Sequence, residues 1–159
     1  MIFFCPKCWS EVKEDDKICP ECQETIAPLD QASYFDKLTR ALHHPVAATR
    51  MRAAYILGEI GDKRGIEPLA DIIDRAWGKE NLFFLREIAI ALGKIDGDEA
   101  VPVLVHLLGH PSFLIREEAL KSLPSGKNKL AAEAVRKALN ESSTAIRELA
   151  KEFLAKNSE

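Results

Sequence analysis

Apolar residues recur along most of the chain at the spacing of amphipathic helices. From about residue 34 onward they fall three and four positions apart, which places them on one face of a helix. The segments Phe35-Leu38-Leu42 and Val101-Leu104-Val105-Leu108 are examples. Short stretches that contain Gly, Asp or Pro separate these segments. The pattern predicts a mainly α-helical protein built from about eight helices.

The helical segments are arranged as a repeat of helix pairs. The second helix of each predicted pair carries Leu just before a position that anchors the alignment, and these anchors are Gly58, Gly93, Pro124 and Ala155. The anchors lie 35, 31 and 31 residues apart, and the first helices begin 31, 35 and 31 residues apart. Both series therefore place a four-residue insertion in the second repeat, around Ala76-Trp77-Gly78-Lys79.

A helix pair that repeats about every 31 residues resembles the HEAT repeat, in the short subtype named after phycobilin lyases. The likeness rests on Arg50, Ala53-Ala54 and Leu57-Gly58-Glu59-Ile60-Gly61-Asp62, and on the related run from Arg86 to Leu104. It covers about residues 33–156. It implies an α-solenoid, in which each pair buries one face against the next. We therefore expect about four HEAT-like helix pairs over residues 34–159, after a linker at 27–33.

The first 26 residues form a separate cysteine-rich module. Its two cysteine pairs, Cys5-Pro6-Lys7-Cys8 and Cys19-Pro20-Glu21-Cys22, use all four cysteines of the chain. Two residues between paired cysteines let one tight turn aim both sulfurs at one point, and two such turns create a tetrahedral sulfur site that suits zinc. About 25 residues cannot bury a stabilising core, so the metal must supply folding energy. We expect one β-hairpin between the pairs, from residues 9–12 back to Ile18.

The paired cysteines resemble the short zinc ribbons found at the N-termini of many bacterial proteins. Such ribbons usually carry Gly after the second Cys of each pair, where the backbone is left-handed, whereas this chain has Trp9 and Gln23. The resemblance and the spacing favour one structural zinc ion per chain. We predict the ligands to be Cys5, Cys8, Cys19 and Cys22.

Other uses of four cysteines are two disulfides, a redox pair or a rubredoxin-like iron site. The first residues lack the basic start of a signal peptide, so we expect a cytoplasmic protein, in which disulfides are rare. Four thiolates leave no open coordination position, which indicates a structural site. Iron remains the alternative metal.

Charge and hydropathy narrow the choice of partner. Residues 1–30 contain three Lys and seven acidic residues, a net −4, and the remainder carries +1. Because neutralisation of phosphates dominates non-specific nucleic-acid binding, this balance argues against nucleic acid. No apolar run reaches the roughly 18 residues of a membrane span, so no membrane association is expected.

Two columns of side chains on the second helices are predicted to point away from the stack. They lie seven and three positions before each anchor, and comprise Met51, Arg86, Glu117 and Glu148, then Tyr55, Ile90, Lys121 and Glu152. Repeats one and two place apolar residues there beside Arg86, and aromatic, Met and Arg residues are typical of interface centres. We predict a partner-binding patch of Met51, Tyr55, Arg86 and Ile90. The alternative is that the ribbon or linker covers these residues, or that they belong to the core.

Aromatic residues near the insertion suggest a second exposed site, formed by Trp77 and Phe83. The alternative is core packing, which we expect for Phe84 because it aligns with Ile115 and Ile146.

Four histidines and a column of arginines are candidates for other chemistry. His106 and His110 are four residues apart, as in a helical metal clamp, but the intervening Leu-Leu-Gly lacks the Glu of zinc proteases. We interpret His44 and His110 as helix-start residues. We interpret Arg50, Arg116 and Arg147 as a structural column that bridges neighbouring repeats.

The sequence thus predicts a non-enzymatic adaptor or scaffold that binds a protein partner. One alternative is a nucleic-acid- or ribosome-associated factor, since zinc ribbons often serve such machinery. Another is a lyase-like enzyme subunit acting on a bound chromophore, which rests on the resemblance to phycobilin lyases alone.

Overall fold

Eight α-helices follow a small β module in the described part of the chain. The structure, a computed structural model, describes residues 3–26, 32–75, 77, 81–95, 97–124 and 128–157. The helices are α1 (Tyr34–Ala41), α2 (Ala47–Ile60), α3 (Ile66–Arg75), α4 (Leu82–Ile95), α5 (Val101–Leu107), α6 (Phe113–Ser122), α7 (Lys129–Ala138) and α8 (Thr144–Lys156). A 3-10 turn at Lys63–Gly65 leads into α3. The predicted mainly α fold of about four helix pairs is confirmed.

The second helices of the four pairs form one continuous row. α2 packs on α4, α4 packs on α6, and α6 packs on α8, while α1, α3, α5 and α7 each pack on the second helix of their own pair. Helix α4 lies inside the row and is buried along both flanks, through Phe84, Leu85, Ile88, Ala89, Ala91, Leu92 and Ile95. Each pair thus buries its apolar stripe against its neighbours, which is the arrangement of an α-solenoid.

Two of the alignment anchors are glycines because neighbouring second helices touch there. A Cβ at Gly58 would lie 2.8 Å from the Cα of Ala91, and a Cβ at Gly93 would lie 2.8 Å from the backbone oxygen of Ser122. Both distances are shorter than any real Cβ contact. The glycines therefore set how closely α2 approaches α4 and how closely α4 approaches α6.

An arginine from the second helix holds the turn within its own pair. Arg116 Nη1 donates to the carbonyl oxygens of His110 (2.8 Å) and Pro111 (2.9 Å). Arg147 Nη1 makes the same bonds to Glu141 (2.6 Å) and Ser142 (2.8 Å). The Arg50 guanidinium reaches the carbonyl of His44 at 3.5 Å. The column is structural, as interpreted from the sequence, but these bonds lie within one helix pair, whereas the interpretation was that they bridge neighbouring repeats.

Arg116 also reaches the next repeat, through the carboxylate of Glu141. Arg116 Nη2 donates to Glu141 Oε2 at 3.1 Å. Glu118, two residues after Arg116 in α6, points to another face of the helix. It pairs with Arg86 of α4.

We expect Arg116→Lys to lower the free energy of unfolding by about 1–3 kcal/mol, because a lysine cannot bond both carbonyls and a carboxylate in one plane. Urea denaturation measures the effect. Arg52→Lys, at an exposed position of α2, is the matched control and should change the unfolding free energy by less than about 0.5 kcal/mol. Equal effects of the two substitutions would contradict a structural role for Arg116.

The N-terminal module contains two short hairpins, each closed by one cysteine pair. β1 (Phe3–Phe4) pairs antiparallel with β2 (Glu11–Val12), with Phe4 opposite Glu11. A second antiparallel bridge joins Ile18 to Thr25. The single hairpin predicted from residues 9–12 to Ile18 is therefore wrong. Each chain reversal occurs at a cysteine pair, where the turn already brings the flanking backbones together.

Two aspartates lie just before first helices of the repeats. Asp62 caps the 3-10 turn that leads into α3 and accepts the Arg64 N–H at 2.9 Å. Asp98 instead accepts from the side chain of Asn128 at 2.6 Å, so it ties the third repeat to the fourth. Pro45 and Pro111 lie two residues before α2 and α6 begin.

The predicted linker at 27–33 and the insertion at 76–79 fall largely outside the described residues, which include only Ala32, Ser33 and Trp77 of these segments. Ser33 caps α1 by accepting the Asp36 N–H at 3.1 Å. Among the described helices none combines the length and the apolar character that crossing a membrane would require.

Candidate metal centre and the exposed face of the second helices

The four cysteine sulfurs converge at one point between the two hairpins. All four lie within 4.8 Å of one another, and the pairs Cys5–Cys22 and Cys8–Cys19 are separated by 3.7 Å and 3.6 Å. A disulfide needs about 2.05 Å, so these are thiols. Sulfurs arranged tetrahedrally at about 2.3 Å from a zinc ion would lie about 3.8 Å apart. The predicted clustering of the four cysteines is confirmed, and its spacing fits one metal ion.

Both cysteine turns adopt the left-handed backbone without glycine. Trp9 has φ of 61° and Gln23 has φ of 58°. The Trp9 N–H donates to the Cys5 carbonyl at 2.9 Å, and the Gln23 N–H donates to the Cys19 carbonyl at 3.0 Å. These closed turns show that the absence of glycine does not alter the turn geometry. A left-handed backbone costs each of these two residues about 1–2 kcal/mol.

Hydrogen-bond donors around Cys19 favour its thiolate form. The backbone N–H of Cys22 and then the Ser10 hydroxyl lower the pKa of Cys19 to about 6, and the Ser10 oxygen lies 3.3 Å from that sulfur. The Lys7 N–H also points to Cys5 Sγ at 3.5 Å. Thiolates are the form that binds metal. Lys7 and Glu24 form an ion pair across the two turns, which helps to hold them together.

The module contacts the first repeat through the ring of His44. Phe4 and Trp9 meet this ring edge-on, with centroid distances of 5.0 Å and 4.7 Å. His44 Nδ1 accepts the Val46 N–H at 3.0 Å, and burial lowers the pKa of His44. His44 thus lies in the turn just before α2, and its ring contacts the N-terminal module.

His110 makes the same turn in the third repeat, and its ring also contacts a tryptophan ring. Its Nδ1 accepts the Ser112 N–H at 3.0 Å, and Trp77 lies edge-on to it with a centroid distance of 5.0 Å. Trp77 also stacks on His106 at 4.2 Å. The indole lies against both imidazoles, so the four-residue spacing of the two histidines lets both rings pack on Trp77. The side chain of Trp77 is half-buried.

The predicted patch on the second helices combines exposed and half-buried residues. Tyr55 is 44% exposed, and Lys94 lies over its ring at 4.9 Å. Arg86 is exposed and pairs with Glu118 at 2.7 Å. Met51 and Ile90 are half-buried, and Met51 packs against the core. A role of these residues in partner binding stays a prediction.

A ridge of exposed apolar residues lies at the starts of α4 and α6. Phe83 is 66% exposed, whereas its neighbour Phe84 is buried in the core as predicted. Leu82, Phe113 and Leu114 are also exposed. Because Arg86 contacts Glu118 and Gly93 contacts Ser122, α4 and α6 run in register and their first turns are adjacent. We call Leu82, Phe83, Phe113 and Leu114 the apolar ridge.

Of this ridge, only Phe83 was predicted from the sequence to be exposed. The equivalent positions, ten and eleven before each anchor, are Ala47 and Ala48 in repeat one and Thr144 and Ala145 in repeat four. Comparing these columns across the repeats would have revealed that large apolar residues occur there only in repeats two and three.

Two sequence families match the helical part of the chain. The family described as HEAT repeats matches residues 84–155, and the family described as PBS lyase HEAT-like repeat matches residues 49–75. The chain carries HEAT repeats. The matched residues include all of α3, α5, α6 and α7 and most of α2, α4 and α8, whereas α1 lies outside them. HEAT repeats generally mediate protein interactions.

Solved structures show the same fold. Two crystal structures of engineered proteins, both Northeast Structural Genomics Consortium targets, align with TM-scores of 0.56 and 0.51, each at 23% sequence identity and over 79% of this chain. The chain covers 62% and 64% of those two proteins, less than two thirds of their length. The comparison with curated proteins gave no match.

Proposed function

We propose that this HEAT-repeat protein is a non-enzymatic scaffold that binds a protein partner on the exposed face of its second helices. The observation that supports this most directly is the apolar ridge, where Phe83 is 66% exposed on helices that are otherwise well packed. Contiguous exposed apolar residues are costly in a soluble protein and often mark interaction sites.

The partner site would extend from the ridge along the exposed face of α2 and α4. Phe83, Arg86 and Ile90 lie on successive turns of α4, and Tyr55 lies on the neighbouring α2 beside Lys94. Aromatic and arginine side chains contribute much of the energy of protein interfaces. Met51 and Trp77, which are half-buried, would support the edges of this site. In α6 and α8 the corresponding positions are charged, so the site would be concentrated in repeats one and two, together with the part of the apolar ridge on α6; the charged residues are Glu117, Lys121, Glu148 and Glu152.

We further propose that the four cysteines hold one structural zinc ion. The sulfur spacing fits a tetrahedral site, and four protein ligands leave no position for a substrate. The zinc would serve the fold of the N-terminal module by keeping both cysteine turns closed, since the module is too small to be stabilised by its own core.

Affinity capture from the native host tests the scaffold function. We expect the wild-type chain to retain one or more specific proteins, and we expect Phe83→Ser and Tyr55→Ala to lose at least about 90% of them, a cost of about 1.4 kcal/mol or more in binding. Leu130→Ser removes from α7 an apolar residue that is as exposed as Tyr55, and this variant should retain the partner. Equal capture by all four proteins would contradict a partner site on the second helices.

Two adjacent phenylalanines provide a control on folding. Phe84→Ala should lower the free energy of unfolding by about 3–5 kcal/mol because it leaves a cavity in the core. Phe83→Ala should lower it by less than about 0.5 kcal/mol, as expected for a surface residue. Urea denaturation of both variants distinguishes these outcomes. If Phe83→Ala were as destabilising as Phe84→Ala, Phe83 would be a packing residue and the apolar ridge would lose its central member.

A further inference from the structure

The N-terminal module touches the HEAT repeats through residues that directly adjoin its cysteines. Phe4 precedes Cys5 and Trp9 follows Cys8, and both rings lie on His44. We propose that this docking depends on metal: with the four cysteines bound to a metal ion the module sits on the start of α2, and without the metal it detaches while the repeats stay folded. This inference rests on the proposed metal site.

The position of Trp9 is set by closure of the first cysteine turn. Its backbone is left-handed, with φ of 61°, a conformation that a bulky residue adopts only when the surrounding structure imposes it. Its N–H bonds the Cys5 carbonyl at 2.9 Å, and the Cys5 N–H in turn bonds the Ser10 carbonyl at 2.9 Å. Since the turn needs both of its sulfurs held at one point, loss of the metal frees Trp9 to leave its left-handed conformation.

Phe4 is connected to the same turn. It pairs with Glu11 in the short β1–β2 ladder, which contains only two residues in each strand. A two-stranded ladder of this length does not persist by itself in water. Opening of the cysteine turn between the strands therefore removes Phe4 from His44 together with Trp9.

The surface around His44, on which the module docks, is by contrast formed by the repeats alone. His44 is fixed by its bond to the Val46 N–H, and Arg50 bonds the His44 carbonyl. The third repeat shows the same arrangement at His110, which bonds the Ser112 N–H and receives Trp77. No cysteine adjoins Trp77, so the contact of Trp77 with His110 is an internal reference that should not respond to metal.

Imidazole NMR signals of the full-length protein test the proposal. The protein is compared with zinc bound and after removal of zinc by a chelator, and zinc content is measured in both samples. Ring currents of Phe4 and Trp9 shift the His44 signals when the module is docked. We expect the His44 signals to move on zinc removal, to return on re-addition of zinc, and the His110 signals to stay in place.

The variant Trp9→Ala separates docking from metal binding. We expect it to bind one zinc per chain, because its cysteines are intact, yet to give His44 signals close to those of the zinc-free protein. Fluorescence supplies an independent readout, since the chain has two tryptophans. Emission of Trp77→Phe, which reports Trp9, should shift to the red on zinc removal, and that of Trp9→Phe, which reports Trp77, should not.

The outcomes distinguish this inference from the metal site on which it rests. If zinc binds but the His44 signals are the same with and without it, the docking proposal is overturned and the metal site stands. If His110 shifts as much as His44, zinc removal perturbs the repeats themselves, which also overturns the proposal. If no zinc binds to the wild-type chain, the metal site fails and the docking proposal fails with it.

Discussion

Cys19→Ser should weaken zinc binding by about 10²–10³-fold. A structural zinc ion in small domains binds with about 10–16 kcal/mol, and removal of one ligand in four forfeits roughly a quarter of that energy, which corresponds to this loss of affinity. Cys19 is fully buried at the sulfur cluster. Competition with a chromophoric chelator measures the affinity.

The same substitution should unfold the N-terminal module and leave the helices intact. The buried cluster that holds the repeats together contains no residue of the module. Hydrogen exchange at the backbone amides of Trp9 and Gln23, which are bonded within the cysteine turns, should become fast. Far-UV circular dichroism, which is dominated by the eight helices, should change little.

Glu21→Gln is the matched control for this experiment. Glu21 lies between Cys19 and Cys22 and is exposed, so the substitution changes the charge of the turn and keeps all four sulfurs. We expect its zinc affinity to stay within about threefold of the wild type, below the 10–100-fold typical of substitutions at residues that orient metal ligands. If Cys19→Ser bound zinc as tightly as Glu21→Gln, the four-cysteine site would be refuted.

Gly93→Val should destabilise the HEAT repeats by about 3 kcal/mol. The first side-chain atom of any residue at this position would lie 2.8–3.0 Å from the backbone oxygen, Cβ and Cα of Ser122. Backbone atoms cannot rotate away as a flexible side chain can, so α4 and α6 would have to separate, and overpacking of this kind costs about 1–3 kcal/mol. The loss is a large fraction of the 5–15 kcal/mol by which proteins are typically stable.

The effect of Gly93→Val is measured by urea denaturation, with Gly109→Val as the control. Gly109 is exposed, and a Cβ there would meet only the His106 carbonyl oxygen at 3.4 Å. We expect this control to change the unfolding free energy by less than about 1 kcal/mol. An equally small effect of Gly93→Val would show that α4 and α6 adjust their spacing freely, which contradicts the close packing described above.

The sequence predicted the structure correctly where the residue pattern is local or periodic. The 3.6-residue spacing of apolar residues and the regular anchors predicted the helix pairs, because burial of one stripe per helix requires that pattern whatever the partner. The Cys-x-x-Cys spacing predicted the convergence of four sulfurs for a similar reason, since two cysteines so spaced lie within one turn.

The predictions differ from the structure where the role of a residue depends on which other segment packs against it. The alignment showed that Gly93 is an anchor. Position 93 is a glycine because the backbone of Ser122 lies against it, and Ser122 is in a helix about 30 residues further along the chain. Trp77 was predicted to be exposed or core, and it packs on His106 and His110 of the next repeat. The ribbon hairpins paired differently from the prediction because strands of two residues carry too little pattern to specify their partners.

By itself the sequence sufficed for the class of fold, the number of helix pairs and the clustering of the cysteines, since each follows from spacing along the chain. The sequence did not predict how closely α4 approaches α6, the full apolar ridge or the contact of the ribbon with His44. Those features join residues that are distant in sequence, and their geometry is set by the packing of whole helices, in which many weak contacts act together.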